Sequence, residues 1–98
     1  MIREGQRYRA VRDLQVGALT HWQAPFTGGV EATLPAGEIF VIANDPPAFA
    51  TAVYCTPERY GDLEALFVPA EDRNAETYAG YSLVIDLEAI RRHAELLS

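Results

Sequence analysis

The chain predicts a mainly β fold with α additions: a small antiparallel barrel or curled sheet of five to six strands, a short middle helix and a C-terminal helix. Three observations carry that expectation. Apolar residues recur at period two in several short runs. Pro- and Gly-containing turns separate the runs and are too short for parallel crossovers. A stripe with the helical period of 3.6 occurs only near residue 90.

In chain order, Arg7-Tyr8-Arg9-Ala10-Val11-Arg12 alternates polar and apolar, which places Tyr8 and Ala10 on one face of a first strand. Asp13 and Gly17 are expected to bracket a turn. A second strand is expected from Ala18 to Gln23, with Leu19 and His21 facing one way and Thr20 and Trp22 the other. Pro25 stops it for lack of an N–H, and Thr27-Gly28-Gly29 turns the chain. Val30 to Leu34 alternates cleanly as a third strand. Leu34-Pro35-Ala36-Gly37 has the residues of a type I turn, with Pro second and Gly fourth.

Glu38-Ile39-Phe40-Val41-Ile42-Ala43 is the strongest strand. Its unbroken apolar run predicts burial on both faces. Pro46-Pro47 ends it, and Phe49 to Cys55 follows as a fifth strand. Thr56-Pro57-Glu58 has the order of a helix start: hydroxyl cap, proline, acid. Leu63, Leu66 and Phe67 supply that helix with an inward face. Residues 70–80 read as a loop with one helical turn. Tyr81 to Ile85 is the last strand, with Leu83 and Ile85 on one face. Asp86 then caps a helix from Leu87 to about Leu97, striped by Leu87, Ile90, Ala94 and Leu97 and supported by Glu88 and Arg92 four apart.

With 98 residues the chain is one domain, and 49% hydrophobic content suffices for a core. No apolar run approaches the roughly 20 residues of a membrane span. No secretory leader is visible, and the single Cys55 has no internal disulfide partner. A bacterial-type cytoplasmic protein without a membrane partner is the simplest expectation. The net charge is −6, yet residues 1–12 hold Arg3, Arg7, Arg9 and Arg12 against Glu4. That segment is therefore +3 and the remainder −9. A nucleic-acid partner is disfavoured, since only the first strand offers a basic face, and pairing of these arginines with the acidic remainder accounts for them.

The turn LPAGE feeding the strand EIFVIA, preceded by a strand that ends at PFTGG, resembles the pattern of SH3-like barrels with helical additions. The likeness covers roughly residues 5 to 55 and concerns the fold alone.

No cofactor or phosphate motif is present, and the spacing of His21, His93 and Cys55 fits no metal site. Cys55 with His21 is the one nucleophile–base combination available, but a buried, inert thiol accounts better for Cys55. Tyrosine carries the binding signal, with five of the ten aromatic residues (Tyr 5, Phe 4, Trp 1). Tyr60, Tyr78 and Tyr81 fall in or beside predicted loops, where core packing explains an aromatic ring less well. With Trp22 and Phe26 they form a candidate aromatic surface for a protein or peptide, because such rings combine apolar area with a polar tip. The leading expectation is a non-catalytic interaction module. The alternative is a small cysteine-dependent enzyme or small-ligand-binding protein. A homodimer through the same surface is a third expectation.

Overall fold

A computed structural model describes residues 1–19, 30–67 and 82–98. The described residues form seven strands and two helices: β1 (Arg7–Ala10), β2 (Leu14–Leu19), β3 (Val30–Leu34), β4 (Ile39–Ile42), β5 (Ala52–Pro57), α1 (Tyr60–Phe67), β6 (Ser82–Asp86), α2 (Leu87–His93) and β7 (Ala94–Leu96). The strands make a single sheet in the order β3-β2-β6-β5-β4-β1-β7. Every pairing is antiparallel. The mainly β class with helical additions therefore stands. The sheet is open rather than closed into a barrel, and it has seven strands where five to six were expected.

The register shows how the sheet is built. The partner numbers of Tyr8↔Phe40, Leu14↔Leu34 and Ala18↔Val30 add to 48 in every case. β1 with β2, and β3 with β4, are thus the two arms of one long hairpin. Yet β2 also pairs with β6, and β4 with β5, while β5 and β6 pair with each other. In the sheet order β1 and β2 lie four places apart, about 19 Å at 4.8 Å per place if the sheet were flat. Only residues 11–13 join them, and four steps of extended chain reach at most about 14 Å. The hairpin must therefore bend at residues 11–13 and 35–38 and fold around the β5–β6 pair.

The bend is held by short hydrogen bonds. The Gly37 N–H donates to the Ala10 carbonyl at 2.7 Å and the Ala10 N–H to the Glu38 carbonyl at 2.9 Å. The Ala36 N–H donates to the Asp13 carboxylate at 2.9 Å. Gly37 has φ +90°, and the Glu38 N–H reaches back to the Pro35 carbonyl. The turn is therefore Pro35 to Glu38 with glycine third, one residue later than expected. Positive φ at the third position is the type II requirement that only glycine meets freely.

One face of the sheet is the core. Tyr8, Ala10, Leu14, Val16, Leu34, Phe40, Ile42, Val53, Cys55, Leu83 and Ile85 are all buried there, and the Tyr8 and Phe40 rings stack at 5.9 Å. β4 does not bury both faces as expected: Phe40 and Ile42 are enclosed, while Ile39 and Val41 are only half-buried. α2 spans this core from β6 to β7. The Leu87 N–H bonds the Thr51 carbonyl at one end, and the Val11 N–H bonds the His93 carbonyl at the other. Ile90 is fully enclosed, and burial of such a side chain contributes about 1.5–3 kcal/mol. Asp86 occupies the cap position as expected but makes no side-chain cap bond. Arg92 does bond Glu88, Nε to Oε1 at 2.9 Å.

Further sequence expectations are corrected. β2 starts at Leu14, not Ala18, and Gly17 lies within it rather than in a turn. The fifth strand runs Ala52–Pro57, so Thr56-Pro57 ends a strand instead of starting a helix. Pro57 fits because Ala43 N–H→Tyr54 O and Glu58 N–H→Ile39 O set the phase of bonding to β4. Pro57 opposite Phe40 falls between those bonds, where its missing N–H is not required by β4. Leu66 is exposed and does not face inward with Leu63. The last helix stops at His93, because the Leu97 N–H is taken by the Arg7 carbonyl and residues 94–96 join β1 as β7. The reading of residues 70–80 lies outside the described residues.

Two glycine variants probe the bend. Gly17 has ordinary φ, and an added Cβ would meet Val84 at a comfortable 3.8 Å. Gly17→Ala should stabilise by about 0.4–1 kcal/mol through the unfolded chain. Gly37→Ala, forced to positive φ, should cost about 1–2 kcal/mol. Urea unfolding of both variants checks the opposite signs.

Candidate functional site

Of the residues singled out in the sequence, His21, Trp22, Phe26, Tyr78 and Tyr81 lie outside the described residues. Tyr60 opens α1. Tyr60 is thus the one member of the expected aromatic surface among the described residues. Of the two remaining tyrosines, Tyr8 belongs to the core, with its hydroxyl donating to Gln6 Oε1 at 3.1 Å, and Tyr54 lies half-buried on β5.

Cys55 is fully enclosed near the middle of the sheet, paired with Ile42 on one side and Leu83 on the other. Its nearest polar partner is the Val53 carbonyl, 3.7 Å from Sγ. Burial pushes the thiol up to about 12. At neutral pH it is protonated and shielded, which is the opposite of what a nucleophile needs. Among the described residues no three His, Cys, Asp or Glu side chains converge as a metal site. No described helix is long and apolar enough to cross a membrane.

Among the described residues, two shallow grooves are seen on the outer face of the sheet. One, of about 300 Å³, lies over Gly17 and Val84, with Glu31 and Asp86 at its rim. The other, of about 420 Å³, has Ile39 as its apolar floor. Its rim is a set of ion pairs: Arg7 with Glu58 at 2.9 Å, and Arg59 Nε with Glu38 at 3.0 Å. Arg9 reaches Glu95 at 3.8 Å. Arg7 and Arg9, the arginines of the first strand, are thus paired with carboxylates, as the charge distribution suggests. Exposed pairs of this kind contribute little to stability.

Among the described residues the most exposed large hydrophobic is Phe49, at 97%. Sequence reasoning placed it at the start of a strand, but β5 begins three residues later. It sits in the loop Asn44–Thr51, and both roots of that loop are pinned. The Asp45 carboxylate accepts the Glu4 N–H at 2.8 Å, and the Thr51 carbonyl accepts the Leu87 N–H at 2.9 Å. Inside the loop the Ala50 N–H bonds the Pro47 carbonyl at 3.0 Å, closing a turn on the stiff Pro46-Pro47 pair. A fully exposed phenyl ring is thus held on an ordered support. The signal for it was present: an aromatic two residues after Pro-Pro sits in a turn more readily than in a strand.

The chain matches no protein-family model, and comparison with curated proteins and with solved structures finds no match.

Thiol chemistry checks the reading of Cys55. A disulfide reagent should label it slowly at neutral pH and at once in denaturant. Because the folded thiol ionises only near 12 against an ordinary 9.0, its protonated form is favoured by folding. Its contribution is complete below pH 9 and is lost between pH 9 and 12, at about 1.4 kcal/mol per pH unit. Cys55→Ala should remove that alkaline slope.

Proposed function

We propose that the chain is a non-catalytic module that binds a protein or peptide, and that Phe49 is its anchor. The observation that carries this reading is the exposure of Phe49 on a loop pinned at both ends. An apolar ring in water contributes nothing to folding, whereas its transfer into a partner's pocket contributes about 1.5–3 kcal/mol. A support ordered in advance lowers the entropy lost on binding. The acidic net charge of −6 turns the reading away from nucleic acids and toward a protein pocket with a neutral or basic rim. Tyr60, Tyr78, Tyr81, Trp22 and Phe26 remain the candidate contributors to a wider aromatic surface. On the same reading the likeness of LPAGE-EIFVIA to SH3-like barrels is architectural: a bent ribbon presenting side chains from its loops in a bacterial cytoplasm. The environment of Cys55 speaks against the cysteine-dependent alternative.

Phe49→Ser tests the anchor. Stability should change by less than about 0.5 kcal/mol, because an exposed ring supports no core. Proteins captured from the host by the unaltered chain should bind the variant about 10- to 100-fold more weakly. Undiminished capture of the same proteins by Phe49→Ser would contradict the reading.

A further inference from the structure

We infer that β7 is the seat of a symmetric dimer, in which two copies of this chain pair antiparallel through their β7 edges about a two-fold axis at Leu96. The inference is independent of Phe49 and rests on the bonding phase of the edge. The Val11 N–H bonds the His93 carbonyl, and the Leu97 N–H bonds the Arg7 carbonyl. With Arg9 opposite Glu95, the residues in and beside β7 whose backbone bonds β1 are 93, 95 and 97, and the Ser98 carbonyl also accepts the Arg7 N–H at 3.1 Å. Antiparallel bonding alternates along a strand, so the N–H and C=O of Leu96 and the C=O of Ala94 point away from β1. Among the described strands β7 is the outermost of the sheet on that side. The Ala94 N–H is already used by the Ile90 carbonyl. Among the described residues the edge thus offers Leu96 as its one complete donor–acceptor residue.

Side chains then select the partner and the register. Leu96 stands opposite Tyr8, so it belongs to the core face, yet it is 53% exposed. Edge strands normally carry a charge, a proline or a bulge that blocks pairing. The only charge on β7 is Glu95, and it is drawn sideways to Arg9. A two-fold at Leu96 sets Leu96 against itself and Glu95 against Leu97 of the second copy. Two N–H···O=C bonds form at the centre, and the exposed leucines cover each other. Pairing Ala94 with Leu96 would instead set Glu95 against Glu95, like charges face to face, which is unfavourable. Pairing Leu96 with Ser98 would call on the Ser98 carbonyl, which already accepts the Arg7 N–H, so the two-fold at Leu96 is the favoured register.

Sedimentation equilibrium tests the dimer. The mean mass should rise from one chain toward two as concentration increases, and Leu96→Lys should hold it at one chain. Phe49→Ser should leave the association unchanged, so the two proposals fail separately. Cysteine cross-linking reads the register: in a bonded pair the Cα atoms lie about 5.5 Å apart, within disulfide range. Leu96→Cys should oxidise to a covalent dimer, and Glu95→Cys should do so far more slowly. This arm decides the matter even if Leu96→Lys fails to fold. A single-chain mass at millimolar concentration, an undiminished dimer in folded Leu96→Lys, or faster cross-linking through position 95 would overturn the inference.

Discussion

The fold depends on one bend. A hairpin of constant register runs from β1–β2 back through β3–β4, and it turns a corner at residues 11–13 and 35–38. Neither arm has enough chain at the corner to allow a flat sheet. The corner is therefore a steric requirement imposed by link length, and hydrogen bonds to Ala10 and Asp13 secure it. Once the ribbon bends, each half has a free edge, and β5 and β6 fill the space between β4 and β2. The bend also brings the inner faces of both halves toward a shared interior, where Phe40, Leu14 and Leu34 are fully enclosed.

That arrangement determines where function can sit. The interior holds the lone thiol and removes it from chemistry. The outer face has shallow grooves, and the one over Ile39 is rimmed by ion pairs. Among the described residues, what remains are the rims: the loop after β4, which holds Phe49 clear of the surface, and the edge strand β7, which leaves Leu96 half in water. Both features cost little to the core. The loop is pinned by groups at its roots, and β7 is attached by bonds to β1 and by the end of α2. On the proposed reading, binding is thus separated in space from the residues that hold the molecule together.

Much of the local structure was legible. Alternation placed Tyr8 with Ala10, and Leu83 with Ile85, on buried faces, and β3 falls on Val30–Leu34 as read. The errors have common causes. Gly17 and Pro57 look like breaks, but each sits in a strand at a place that tolerates it: Gly17 beside Val84, Pro57 between two bonds to β4. Helical periodicity through Leu97 was overridden by the open edge of β1, a tertiary partner that no local pattern reveals. The bend itself was invisible, because constant register between distant segments appears only when the pairing is known. Cys55 was read correctly as buried, whereas the exposure of Phe49 was missed because a strand was assumed to begin there.

Cross-strand nuclear Overhauser effects in the folded chain test the bent ribbon most directly. The account predicts contacts of Tyr8 with Phe40 and of Leu14 with Leu34 together with those of Gly17 with Val84 and of Ile42 with Cys55, all in one species. Contacts between β1 and β2 as neighbouring strands of a simple hairpin, or loss of either the β2–β6 or the β4–β5 set, would contradict it.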